Sequence, residues 1–350
     1  MTQTTVENRS EIVFITDAQD CNPNGNPMGE NRPRIDPVSG KAAITDVRLK
    51  RYLRDQLAAD DHPIFVKKTE EGASAVRAKL ALDLFDEIEE ADEIEAIENV
   101  EAEFLDKATD IRYFGATLSF NKDPEDELLQ AVKDNFPSQF TGPVQFSPAR
   151  SLNAVEETDE ISSLTSVIAT QDDNEQGGFG LDDNRIKYGI FPFHGLIDEH
   201  GAQDTHLSPD DVKRLDTLCW RALKNQTISR SKIGQQPRLY LRVESATPGY
   251  HEGDLHTAIQ IDREESKPEA ELESIRDVTL DVSNLVSQLS SAAERGHIEA
   301  VHFVGSERLD LTDGEEELSA SAFGAHLREQ GVPVEEIDVY SEFKETLPAE

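Results

Sequence analysis

Cysteine is almost absent. Cys21 and Cys219 are the only two in 350 residues, and their spacing is not that of metal ligands. That excludes a disulfide framework and leaves either one bridge or two idle, buried thiols. No apolar run is long enough to cross a membrane, and no charged-then-apolar leader opens the sequence, so a cytoplasmic protein is expected. There is no P-loop, no Rossmann glycine fingerprint and no nucleophile elbow. None of the nine histidines pairs with cysteine or glutamate at ligand spacing. His194, set in an apolar strand, reads as a satisfied core or edge histidine. No catalytic set, metal or cofactor is expected.

Positive charge is the other scarcity. Thirty-four Lys and Arg face 71 Asp and Glu, a formal net charge of -37. The acids are spread along segments that look folded rather than gathered in a tail. This is the pattern of a halophilic protein, whose carboxylates stay hydrated while salt screens their repulsion. Two islands escape the acidity. Arg32 to Arg54 holds seven bases and two acids; Arg221 to Arg242 holds six bases and no acid. They read as contacts for a polyanion, most simply a nucleic-acid backbone. The competing reading is internal pairing with the surplus carboxylates.

Along the chain, "EIVFITD" (Glu11–Asp17) has the β-branched and aromatic content of a strand. The stretch from Ala18 to Ala43, with "CNPNGNPMGENRPR", is rich in Pro, Gly and Asn and reads as a loop. A helix follows over Ile44–Leu57, with Thr45 as N-cap and Asp46 in the first turn. Ile44 and Leu49 have staple spacing, and Leu49, Leu53 and Leu57 form its buried stripe. Ser74–Asp106 predicts one or two acidic amphipathic helices, with Val76, Leu80, Leu84 and Ile88 on the apolar side. Asp110–Phe120 is expected as a strand bent at Gly115. Further strands are expected near Thr141–Asn153 and over Ile186–Ile197, and Glu156–Asp183 reads as a projecting arm. Ser208–Asn225 is the clearest helix, with Pro209 at its first position and a Ser208/Asp211 capping box. The last third alternates strand and helix and is expected to close with a strand over "EEIDVYSEF". Strands and helices interrupted by long insertions predict an α+β sandwich of the ferredoxin or RRM kind.

"NPNGNP" after the first strand, then "NRPRID" and "TDVRLKRYLRD", resemble the backbone subunit of type I CRISPR surveillance (Cascade) complexes, best in subtype I-B. "DIRYFGA", "GPVQFSPARS", "KYGIFPFHG" and "SRSK" follow in the expected order. The resemblance spans roughly Glu11 to Val243. It implies one hand-shaped, discontinuous RRM-like (ferredoxin-like) domain over 1–350, with its palm at 8–60, 109–155 and 186–345. An acidic helical insertion would occupy 61–108 and a thumb-like hairpin 156–185. It implies a non-catalytic protein that polymerises along guide RNA (crRNA) in antiviral defence. Its partners would be that RNA, further copies of itself, other Cascade subunits and, through the guide, target DNA. The expected RNA contacts are Asn22, Asn24, Asn31, Arg32, Arg34, Arg48, Lys50, Arg51 and Arg54, with Arg150, Arg230, Lys232 and Arg238 behind them. The asparagines serve turn chemistry equally well. The alternatives are a metal-dependent ribonuclease using Asp17, Asp20 or Asp36, and a protein-only interaction module.

Overall fold

A computed structural model describes residues 4–67, 85, 88–118, 127–137, 139–158, 184–226, 231–262 and 266–348, with the backbone alone of 163–166, 178–181 and 270. Its centre is the strand Ser10–Cys21, which pairs antiparallel with Arg185–Ile197 on one side and Gln235–Ser245 on the other. The sheet runs Val334–Glu336, Ile298–Gly305, Gln235–Ser245, Ser10–Cys21, Arg185–Ile197, Val144–Phe146, and Glu157–Thr158 also pairs with the start of Arg185–Ile197. Every neighbouring pair is antiparallel except Val334–Glu336 beside Ile298–Gly305.

From the central strand the chain passes through the helix Asp46–Ala59 to the edge strand Val144–Phe146. It returns beside the centre as Arg185–Ile197, then crosses through the helix Pro209–Lys224 to Gln235–Ser245. The result is a mixed α/β fold on a central mixed sheet. Alternation along the first strand feeds two cores. Ile12 and Phe14 pack with Leu49, Leu53 and Leu57 of the first helix and with Leu215 and Leu218 of the long one. Val13 and Ile15 pack with Leu239, Leu241 and the C-terminal part, including Leu285 and Phe323. Full burial of each such side chain contributes about 1.5–3 kcal/mol. A third cluster lies around Phe104, whose ring meets Phe65, Phe136 and Phe140 at 5.4, 5.3 and 5.6 Å.

The local signals hold. Thr45 Oγ1 accepts from the Arg48 amide, and Ser208 and Asp211 form the capping box at Pro209–Lys224. Cys21 and Cys219 are buried and unbridged. Among the described residues of the acidic region the helices are Ala91–Glu95 and Val100–Lys107; Val76, Leu80 and Leu84 fall outside the described residues.

Two expected strands are different. Thr109–Phe114 is a helix, and extended chain begins only at Gly115–Thr117. Tertiary bonds hold that helix. Asp110 accepts from the amides of Phe65 and Val66 at 2.7 and 3.1 Å. Arg112 pairs with Asp211 at 3.0 and 2.9 Å and caps the carbonyls of Leu105 and Asp106. The turn out of it needs Gly115, at φ +63°, where a Cβ would lie 2.2 Å from the Phe140 carbonyl oxygen. "EEIDVYSEF" splits into the short strand Val334–Glu336 and the helix Val339–Glu345, which Asp338 caps through the Ser341 amide.

Candidate nucleic-acid interface

The first strand delivers the chain to the asparagine loop at one end of the sheet. The loop is fixed from three sides. The Asn22 amide donates to Ser231 O at 2.8 Å, and Lys232 Nζ donates to Asn22 O. Tyr52 Oη, from the first helix, donates to Pro23 O at 3.0 Å and accepts from Gln235 Nε2 at 3.1 Å. Asn24 Nδ2 reaches Thr45 Oγ1, the helix cap, at 3.2 Å. Asn22 Nδ2 closes the loop on itself by donating to Asn31 O at 2.6 Å. Asn22 and Asn24 are therefore buried and occupied with shaping the turn, although Asn22 Oδ1 has no partner. Gly25 and Asn26 pair with Pro33 and Arg32, and a Cβ on Gly25 would sit 2.1 Å from Asn31 Oδ1. Asn31 itself is exposed, in the left-handed region at φ +58°.

A second hairpin follows. The Ala43 amide donates to Arg34 O at 2.8 Å, Ile35 bridges Ala42, and Ala43 stands opposite Arg150 of the strand Ala149–Ala154. Arg34 and Arg150 thus flank Ala43 in one ladder, about 10 Å apart by strand spacing and facing the same side. Arg150 is 67% exposed and lies 3.7 Å from Asp36. Arg34 has no ion-pair partner among the described residues, and its Nε is buried without a hydrogen bond. Arg32 is exposed, with Glu30 and Glu157 only at 3.8 and 4.0 Å.

On the first helix the predicted cations separate. Arg48 lies over the Tyr52 ring at 5.7 Å and has no carboxylate partner among the described residues. Lys50 donates to Gln145 Oε1 at 2.6 Å with Asp46 3.8 Å away, and burial lowers its pKa. Arg51 pairs with Asp55 at 2.6 Å. Arg54 pairs with the fully buried Asp110 at 2.8 Å and stacks on Phe114, so it serves the packing of the next helix.

The second basic island is mostly inside the protein. Arg221 makes two bonds to Asp60 at 2.6 and 2.7 Å. Arg238 pairs with Asp17 at 2.7 Å, and Arg242 with Asp216 at 2.8 and 2.9 Å. For these three, internal pairing prevails over an exposed polyanion contact, and Arg238 is corrected to a buried structural residue. Lys232 is spent in part on Asn22 O, and Arg230 lies outside the described residues.

Among the described residues, Asp17, Asp20 and Asp36 are not brought together in one set with metal-ligand spacing. Asp17 is buried against Arg238 and Tyr188. Asp36 accepts from the amides of Val38 and Ser39, which lower its pKa. Among the described residues two sets of side chains have metal-ligand spacing, and neither contains Asp17, Asp20 or Asp36. Tyr52 and Gln235, which knit the loop to the helix, carried no signal in the sequence. Tyr52's position four residues after Arg48 is visible there only in hindsight.

The fold and site define a mixed α/β protein with Arg32, Arg34 and Arg150 on the hairpins that follow the asparagine loop and Arg48 on the helix that Tyr52 ties to it. A model of the family "CRISPR-associated protein Cas7" matches residues 8–283. The chain is 54% identical over 341 residues to the CRISPR-associated protein Cas7 of Haloferax volcanii, covering 97% of this chain and 98% of that one. The chain belongs to the Cas7 family, and its acidic composition is that of a halophilic lineage. A chain of a solved CRISPR RNA-guided surveillance complex (pre-nicking) shares the fold, with a TM-score of 0.50 and 12% identity over 97% of this chain and 99% of that one.

Proposed function

We propose that this protein is the non-catalytic backbone subunit of a type I, subtype I-B, RNA-guided surveillance complex. It grips guide RNA by its phosphates and sugars, polymerises along it with further copies, and contacts the other subunits. Target DNA is met through the guide. The palm is RRM-like, within one discontinuous domain; the acidic segment 61–108 and the hairpin at 156–185 are its insertions, the latter acting as a thumb. The complex works in the cytoplasm.

The observation that carries this reading is the group Arg34, Arg48 and Arg150. In a chain so acidic, Arg34 and Arg48 have no carboxylate partner among the described residues and Arg150 has only Asp36 at 3.7 Å, beside a loop held by Tyr52 and Asn24. Molar salt reduces the gain from counterion release. Binding then rests on hydrogen bonds from a preformed surface, to which Asn31 and Arg32 add donors.

The test is purification at high salt together with partner subunits and a guide array. Wild-type protein carries protected RNA of guide length. Arg34→Ala/Arg48→Ala/Arg150→Ala protein, folded by circular dichroism, carries much less. Clean wild-type protein with no retained RNA refutes the proposal.

A further inference from the structure

Far from the cationic loop, at the start of the central strand, a side chain of the strand Arg185–Ile197 meets two from a loop some sixty residues later. His194, Asp254 and His256 each offer a ligand atom, all within 4.8 Å of one another. The two imidazoles stack, with centroids 4.8 Å apart and planes 19° from parallel. Nδ1 of His256 is buried and has no hydrogen-bond partner.

Glu11 organises the group. It is 1% exposed, an expensive place for a carboxylate unless its oxygens are bonded. It accepts from the amides of Gly253 at 2.8 Å and Leu255 at 3.1 Å, on either side of Asp254. Its Oε1 also lies 2.9 Å from His194 Nε2. A carboxylate at Nε2 fixes the proton there and leaves Nδ1 with its lone pair, the usual outer arrangement of a metal-bound histidine. Glu11 therefore holds the loop bearing two of the groups and sets the tautomer of the third.

We propose that His194, Asp254 and His256 bind a divalent transition metal of the Zn²⁺ or Co²⁺ kind, with Glu11 as the outer carboxylate. Two imidazoles and one carboxylate suit those ions better than Mg²⁺ or Ca²⁺. The metal pins the Leu255–Ala258 turn to the sheet and so fastens the C-terminal part over the second core. Glu11 and Cys21 are ten strand residues apart, roughly 30 Å, so the metal does not touch the RNA surface.

The other metal-spaced set serves as control. His326 lies 3.1 Å from Asp313 and 3.2 Å from Glu316, and its Nε2 is buried without a hydrogen bond, so its variant asks whether metal-ligand spacing alone is enough to bind the ion.

The experiment titrates the chelator-stripped full-length protein with Co²⁺ in molar KCl, follows the visible absorption bands, and displaces the ion with Zn²⁺. Wild type and His326→Gln bind about one equivalent, while His256→Gln and Asp254→Asn bind about tenfold or more weakly. Zn²⁺ raises the melting temperature of wild type and not of those two variants. Asp254 is exposed with φ +55°, a conformation asparagine accepts, so Asp254→Asn stays folded and readable. Absence of Co²⁺ binding by the wild type, or equal binding by Asp254→Asn, overturns the assignment, as does binding lost only with His326→Gln.

Discussion

Tyr52 Oη donates to the carbonyl of Pro23 at 3.0 Å, tying the buried side of the first helix to the asparagine loop. The same oxygen receives Gln235 Nε2, so one hydroxyl joins the loop, the helix and a neighbouring strand. Tyr52→Phe keeps the ring under Arg48 but takes the donor from the buried Pro23 carbonyl and one of two acceptors from Gln235 Nε2, which keeps Lys232 O at 3.2 Å. It is expected to cost about 1–3 kcal/mol in urea unfolding at fixed salt. A smaller loss would mean that the loop is held elsewhere.

Buried and surface arginines should separate cleanly. Asp216→Asn removes the charge that makes two bonds to the enclosed Arg242, leaving it only Glu244 at 3.3 Å as a carboxylate partner, and should cost about 3 kcal/mol of stability. Arg48→Ala should stay within about 0.5 kcal/mol of wild type while weakening RNA binding. Unfolding curves and RNA affinities measured on the same two preparations check both halves.

That contrast marks how far the sequence could be read. Leu49, Leu53 and Leu57, the Thr45 cap and the Ser208/Asp211 box depend on neighbours within one or two turns, and they are legible. The charge of Arg221–Arg242 was misleading because its partners Asp60, Asp17 and Asp216 lie outside that window. Thr109–Phe114 was misread because bonds from residues 65, 66 and 211 override its aromatic and β-branched content. Of the first island, Arg34 and Arg48 have no carboxylate partner among the described residues, while Arg54 is drawn into packing against Asp110 and Phe114. His194, Asp254 and His256 meet only because Glu11 binds a loop more than 240 residues away.

Acid should act through Glu244. Its bonds to His302, then Asn8 and Arg242, outweigh burial and hold its pKa near about 2, against an ordinary 4.5. A depressed folded-state pKa contributes stability above the unfolded value and loses it as pH falls. Stability should therefore decline between about pH 4.5 and about 2, and Glu244→Gln should flatten that part of the curve. Parallel slopes for the two proteins in acid titrations of unfolding would contradict this.

Neither thiol should react in the folded protein. Burial pushes Cys21 up to about 12 and raises Cys219 well above its usual range. Alkylation by iodoacetamide at neutral pH should be negligible in native buffer and reach both cysteines only after unfolding. Mass spectrometry reads this directly, and rapid native labelling of Cys21 would show that the loop end of the sheet opens.

The central claim is that Arg34, Arg48 and Arg150 grip an RNA backbone without reading its sequence. Its most direct test is the affinity of the full-length protein for two guide-length RNAs of unrelated sequence in molar KCl. The account predicts similar affinities for both, and a loss of about tenfold or more, or about 1.4 kcal/mol, for both when the three arginines become alanine. Unchanged binding by the triple variant, or a strong preference for one RNA, would contradict it.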